Sequence, residues 1–139
     1  MPGTLMRMGL FHRLGRSMLA PMFVTGGLDA LRHPESKETK AEVVTGPITS
    51  TLGLPDETPL LVQVNGAVQV VGGTLLGLGI VTRLAAFALV ASLIPTTLAG
   101  HRFWEETDPK ARAAQRVHFL KNTAMLGGLV LIATDKDSR

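Results

Sequence analysis

The sequence predicts an all-α polytopic membrane protein, a four-transmembrane-helix bundle with two long loops on one side and one tight turn on the other. Three observations predict this fold. Charged residues make up only 18% of the 139 residues, against about 25% in soluble domains. The apolar residues are gathered into four runs, and a single arginine, Arg83, separates the two central runs. The length is that of one domain.

The two central runs are the strongest membrane signals. Residues 60–82 carry no formal charge over 23 positions, and residues 84–100 add 17 more. A helix needs about 20 apolar residues to cross the hydrocarbon core of a bilayer. We therefore predict spans at about 60–81 and 84–100, joined as a hairpin by a tight turn at Arg83.

Two shorter runs flank this hairpin. Residues 17–28 and 123–134 are free of charge over only 12 positions each, a length that also fits an interfacial helix. Flanking Arg and Lys side chains can extend along a helix to the headgroups, which lengthens these spans to about 13–31 and 119–134. Two spans with two interfacial helices are the alternative.

Two polar stretches form the predicted long loops. Residues 33–59 contain four prolines, and their middle, Ser36–Val44, predicts a short amphipathic helix at the surface. In residues 101–118, Asp108-Pro109 predicts a helix start, because proline is favoured at the first helical position.

The order of the spans sorts the polar residues between two sides, whichever way the chain is oriented. With four crossings, one side gathers Asp29, Arg32, Gln63, Asn65, Gln69, Thr96, Thr97, His101, Trp104, Glu105, Glu106, His118, Lys121 and Asn122. The opposite side holds His12, Arg13, Arg16, Arg83, Asp135 and Lys136. The distribution of Lys and Arg leaves the orientation open.

The first of these sides supplies a candidate ligand site. Polar groups at membrane depth must face the bundle or a wet cavity, and ionisable ones are functional candidates. We predict a cavity for a quinone headgroup or another small polar ligand, formed by Asp29, Asn65, Gln69, His101, Trp104 and His118. The alternative for Asn65 and Gln69, which share one helix face, is hydrogen bonding to a neighbouring helix.

Several kinds of chemistry are excluded or not expected. The chain has no cysteine, which excludes disulfides, thiolate metal sites and a cysteine nucleophile. His101, Glu105 and His118 fit no specific metal-binding spacing, so we predict no metal. No flavin or haem motif is present, so any electron transfer must use a bound quinone or a partner's cofactor. Basic residues at the ends of apolar runs are typical of membrane anchors, and we expect no nucleic-acid binding.

Small residues indicate close packing of the helices. Gly73-x-x-x-Gly77, with Gly66 before it, places a smooth stripe on one predicted helix. Such stripes allow two helix backbones to approach closely. A homodimer through this stripe is a hypothesis.

An ordered set of motifs resembles the DoxX family of small bacterial membrane proteins. These motifs are Arg13-Leu14-Gly15, Gly26-Gly27, Asn65-Gly66, Gly72-Gly73, the stretch 95–104 (PTTLAGHRFW), Phe119-Leu120-Lys121-Asn122 and Leu126-Gly127-Gly128. The resemblance runs from Arg13 to Ala133. It implies four transmembrane helices in the bacterial plasma (inner) membrane and association with respiratory or quinone-linked oxidoreductases, but it assigns no catalytic residue.

Three functions follow as hypotheses. The first is an accessory subunit of a redox or quinone-linked membrane complex that binds a small ligand at one membrane side and contacts redox partner proteins. The second is a non-catalytic scaffold that recruits soluble enzymes through residues 36–57 and 101–118. The third is a small-solute transporter, for which four spans provide little room without oligomerisation.

Overall fold

The computed structural model describes residues 2–55 and 57–135, with side chains from Gly9 onward. Its elements are α1 (Pro2–Arg32), α2 (Glu35–Leu52), α3 (Thr58–Leu78), α4 (Thr82–Gly100) and α5 (Pro109–Thr134). No strand occurs among the residues so described. The predicted all-α class is therefore confirmed.

Three of the described helices, α3, α4 and α5, are long and apolar enough to cross a membrane. The predicted spans 60–81, 84–100 and 119–134 fall on them. α1 is longer, at 31 residues, but Arg16 and Asp29 bracket its apolar run and lower its hydropathy. The crossing by α1, and with it the total of four spans, remains a prediction.

The polar stretch 33–59 is mainly helix, which differs from the predicted long loop. α2 has 18 residues and continues through Pro47, well beyond the short helix predicted at Ser36–Val44. It packs against α3, where Thr45 Oγ1 lies 2.8 Å from Thr58 Oγ1 in a hydrogen bond and Thr49 is buried. Tertiary packing of this kind stabilises a helix that local propensity alone would interrupt.

α5 begins at the predicted place. Asp108 Oδ2 accepts a hydrogen bond of 2.8 Å from the Ala111 backbone N–H, and Pro109 occupies the first turn. A carboxylate cap satisfies one of the unpaired N–H groups of a helix start. The helix then runs unbroken to Thr134, so the predicted span 119–134 is the C-terminal part of a 26-residue helix.

The predicted tight turn joins α3 to α4 through three residues, 79–81. Gly79 ends α3 in the left-handed conformation (φ 75°). Val81 also has a positive φ, of 42°, which is costly for a β-branched residue. α4 starts at Thr82 without a side-chain cap.

α1 packs antiparallel along α3 through glycines. A Cβ on Gly27 would lie 2.5 Å from the Gly66 carbonyl oxygen, and a Cβ on Gly66 would lie 2.8 Å from that of Gly27. Further along, Gly73 and Gly77 face Ala20 of α1. The Gly73–Gly77 stripe thus contacts α1 of the same chain, and a homodimer would need another face.

The core lies between the long helices and consists of Phe23, Leu76, Ala85, Ala86, Leu89, Leu93, Leu129 and Ala133. Gly72 lets α4 approach α3, because a Cβ there would lie 3.0 Å from Leu89. Large apolar side chains cover much of the outer surface, among them Met18 and Leu131. Exposed apolar patches of this extent indicate contact with another apolar phase.

Candidate functional site

Contacts between helices hold the two predicted groups of polar residues at opposite ends of the bundle. At one end, Asn65 bonds Thr96, and Asn122 bonds Thr97. At the other, His12 Nδ1 lies 3.6 Å from Asp135 Oδ2, and Arg83 Nε donates to the Ala133 carbonyl oxygen over 3.2 Å. Lys136, assigned to the second end, lies outside the described residues. The first end is called the polar end below, and the second the arginine end.

Asn65 and Gln69 of α3 both hydrogen-bond α4. Asn65 Nδ2 donates to Thr96 Oγ1 over 2.9 Å, and Gln69 Nε2 donates to the same oxygen over 3.2 Å. Ser92 Oγ donates to Asn65 Oδ1 over 2.8 Å. Gln69 is buried and also lies beside α1, with its Oε1 3.5 Å from the position of a Cβ on Gly26. These side chains therefore link three helices.

A second pair links α4 to α5. Asn122 Nδ2 donates to Thr97 Oγ1 over 3.0 Å, and both residues are buried. Thr97 Oγ1 in turn donates to the Leu93 carbonyl oxygen over 2.7 Å. Asn122 thus holds α5 against α4 within the bundle.

His101 lies one turn beyond Thr97, between the ends of α4 and α5. Its Nδ1 is 2.8 Å from Gln115 Oε1, and since an amide oxygen can only accept, Nδ1 donates. This places the proton of the neutral ring on Nδ1 and leaves Nε2 as an acceptor. The ring stacks on that of His118, with centroids 5.1 Å apart and planes at 20°.

The surroundings of His101 favour its neutral form. Burial lowers the pKa of the imidazole and outweighs the hydrogen bond with Gln115, which raises it. Electrostatic interactions with His118, Lys121 and Lys40 lower the pKa further. His101 is therefore a neutral hydrogen-bonding group at pH 7.

Trp104 belongs to an aromatic cluster beside the stacked rings of His101 and His118. Its ring packs edge-on against Phe103 and Phe119, at centroid distances of 5.3 and 5.8 Å. Phe103 and Phe119 also contact each other at 5.4 Å. The cluster fixes the 101–108 loop against α5, while Trp104 remains half exposed.

Asp29 lies apart from the other candidate residues. Its carboxylate pairs with Lys37 of α2, and both side chains are exposed. The predicted ring of candidates is therefore distributed over three places: Asp29 with α2, Asn65 and Gln69 inside the bundle, and His101, His118 and Trp104 at the end of α4.

An open groove of about 230 Å³ lies at the polar end, between α2, the end of α4 and the start of α5. Its lining comprises Thr39, Lys40, Val43, Ala99, Gly100, Arg102, Glu105, Glu106 and Gln115. Gln115 joins the groove to His101, because the same side chain lines the groove and bonds the imidazole. The Glu105 carboxylate pairs with Arg102.

Gln115 and Ser92 were not predicted as site residues. Gln115, His118 and Asn122 recur at intervals of three and four residues on α5, and this shared face is a signal that could have found Gln115. Ser92 lies four residues before Thr96 on α4, so the same spacing applies to it. Groups of three or more metal-ligating side chains do not occur within residues 2–55 and 57–135.

The comparisons with known proteins give one match. The DoxX family model matches residues 11–102, more than half of the chain, from α1 to the residue after His101. The motifs that resemble this family extend further along the chain than the match, to Ala133. No curated protein and no solved structure matches the chain.

Proposed function

Because the chain belongs to the DoxX family, a family of membrane proteins, we propose that it is an accessory subunit of a redox or quinone-linked membrane complex. In this proposal the subunit binds a small ligand with a polar headgroup at one membrane side, in the bacterial plasma membrane. It contributes no cofactor of its own, and its redox partner proteins supply the electrons.

In the proposed complex the chain crosses the membrane four times. α1 lies along α3 from Gly66, which faces Gly27, to Gly79, which contacts Arg16. This stretch of α3 is about 20 Å long at the rise of an α-helix. If α3 crosses the bilayer, α1 must accompany it for most of the hydrocarbon thickness.

The observation that supports a ligand site is the groove beside His101. Lys40, Arg102 and Gln115 bring hydrogen-bond donors to its wall, and quinone carbonyl oxygens accept such bonds. Small-ligand sites combine an apolar lining with a few convergent polar groups, and Val43 and Ala99 supply apolar lining beside these donors. Gln115, which lines the groove, also holds the imidazole of His101.

The remaining candidates are given other roles in this proposal. The amide groups of Asn65 and Gln69 are engaged with Thr96, so we assign them to helix packing. Asp29 is assigned to the α1–α2 connection through Lys37. His101, His118 and Trp104 remain as the ligand-side residues of the candidate set.

Trp104 provides the test, since the chain has one tryptophan and no tyrosine. A short-chain ubiquinone analogue titrated into the purified protein should quench the Trp104 fluorescence to saturation. Gln115→Leu removes a groove amide and should weaken binding about tenfold. Gln63→Leu makes the same change outside the groove and should bind as the parent does. Unsaturable quenching, or equal affinity in both variants, would contradict the proposal.

The scaffold remains a second candidate because of the outer face of α2. Ile48 and Leu52, four residues apart on α2, are 50% and 64% exposed. In a scaffold, changing both to glutamate should remove a stoichiometric partner that co-purifies in mild detergent. Thr51→Glu, on the same helix, should retain that partner. If the variant with both glutamates still binds the ubiquinone analogue as the parent does, partner recruitment and ligand binding are separate functions.

A further inference from the structure

Two buried polar side-chain atoms, Arg16 Nε and Thr82 Oγ1, have no hydrogen-bond partner in the part of the chain that the structure describes. Both lie at the turn between α3 and α4, at the arginine end. Arg16 reaches this turn from α1, and Thr82 is the first residue of α4. Since buried polar groups are almost always paired, the two unpaired atoms near one turn call for a partner.

The Arg16 guanidinium lies beside Gly79. A Cβ at this position would be 3.1 Å from Nη2 and 3.6 Å from Cζ of Arg16, so a side chain here would have to push the end of Arg16 aside by a few tenths of an ångström. The turn therefore holds a cationic group against its own backbone. Thr82, three residues later, is fully buried.

The electrostatics of the turn favour an anion. The first backbone N–H groups of α4 have no side-chain cap, and no acidic residue lies in its first turn. Arg83 is present there instead, with its Nε bonded to the Ala133 carbonyl oxygen. A helix N-terminus already carries partial positive charge, so two arginines add to it rather than neutralise it. Asp135, an acid at this end, lies beside His12.

We propose that the α3–α4 turn binds a phosphate group. The Arg16 guanidinium, the Thr82 hydroxyl and the first N–H groups of α4 are the donors. In a four-span protein this turn lies at the level of the lipid headgroups, so the phosphate of an anionic phospholipid and a free phosphate ion offer the same chemistry. The site is at the opposite end of the bundle from the groove, and it stands independently of the function proposed for that groove.

Native mass spectrometry of the purified full chain tests this site. After exposure to phosphatidylglycerol or phosphatidylcholine micelles, the parent should retain one phosphatidylglycerol in preference to phosphatidylcholine. Arg16→Gln should lower this retention about tenfold, because it removes charge-assisted hydrogen bonds. Arg13→Gln removes the same charge from an exposed position one turn away and should leave retention unchanged. Thr82→Val, which keeps the size of the side chain, should weaken it severalfold.

Inorganic phosphate separates the two sources. If phosphate raises the melting temperature of the parent and displaces the lipid, the free ion is a ligand of the site. If phosphate has neither effect and the lipid is retained, the lipid headgroup is the ligand. Either result supports the site, provided that Arg16→Gln abolishes the effect. Should Arg16→Gln not fold, Thr82→Val and Arg16→Lys decide, because neither removes charge. Equal retention in the parent and these variants, or equal loss in Arg13→Gln, would overturn the proposal.

Discussion

Asn65 donates a hydrogen bond to Thr96 across the α3–α4 interface, with 2.9 Å between Nδ2 and Oγ1. Thr96 itself donates to the Ser92 carbonyl oxygen one turn earlier, over 2.8 Å. The amide and the hydroxyl therefore satisfy each other inside the bundle. Such bonds between membrane helices fix their rotation, although each contributes only about 0.6 kcal/mol on average.

Asn65→Leu should destabilise the fold by about 1 kcal/mol, because the Ser92 hydroxyl loses its acceptor and Thr96 loses one of its two donors. The free energy of unfolding in mixed detergent micelles measures the change. A double-mutant cycle with Thr96→Val isolates the pair, and we expect a coupling of about 0.6 kcal/mol. Strictly additive effects would show that the bond contributes nothing.

Gly27→Ala should destabilise the protein by about 3 kcal/mol, because the new Cβ would lie 2.5 Å from the Gly66 carbonyl oxygen, a backbone atom. Gly15→Ala is the matched control on the same helix, since nothing lies within 4 Å of its Cβ position. Alanine favours helix, so the control should stabilise by up to about 1 kcal/mol. Thermal unfolding compares the two variants, and equal effects would rule out the glycine contact as a determinant of α1 packing.

Acidification should destabilise the folded chain through His101. Its pKa is lowered by burial from the ordinary 6.5, so the unfolded chain takes up the proton first. Stability is then complete above about pH 6.5 and falls as the pH drops toward the lowered folded pKa. Melting temperatures from pH 8 to 5 should decline less steeply in His101→Gln than in the parent. His33 is exposed, so the melting temperature of His33→Gln should decline as steeply as that of the parent. An equally steep decline in His101→Gln would show that His101 does not cause the pH dependence.

Single cysteines can test the four-span topology, since the chain has none of its own. Cysteines at His33, Leu54 and Glu105 should react with a membrane-impermeant maleimide from one side of sealed vesicles. Cysteines at Gly9 and Ile80 should react only from the other side. If α1 does not cross, Gly9→Cys and His33→Cys will label from the same side.

The apolar runs predicted the helices that could span a membrane, because charge-free stretches of about 20 residues are typical of transmembrane helices. The length of α2 could not be predicted in the same way, since Gly46 and Pro47 usually end a helix. Contacts that join residues far apart in sequence, such as Thr45 with Thr58, decide it instead.

The candidate site was predicted only as a set of residues on one side. Counting crossings places Asn65 and Thr96 at the same end, but it does not give the rotation of α3 about its axis. That rotation depends on the close approach of Gly27 to Gly66. The place of Asp29 could not be predicted either, because its pairing with Lys37 depends on the direction in which α2 leaves the end of α1.

The backbone contact between α1 and α3 has a consequence for biosynthesis. α1 emerges from the ribosome with Arg16 and Asp29 bracketing a short apolar run, a composition that inserts poorly by itself. Its partner surface, from Gly66 to Gly79, is made only after α2. In a four-span chain, we therefore expect α1 to remain at the membrane surface until α3 has been made, and the two helices to enter the bilayer together. A nascent chain truncated before Thr58 should remain extractable by alkali, whereas one truncated after Gly100 should not.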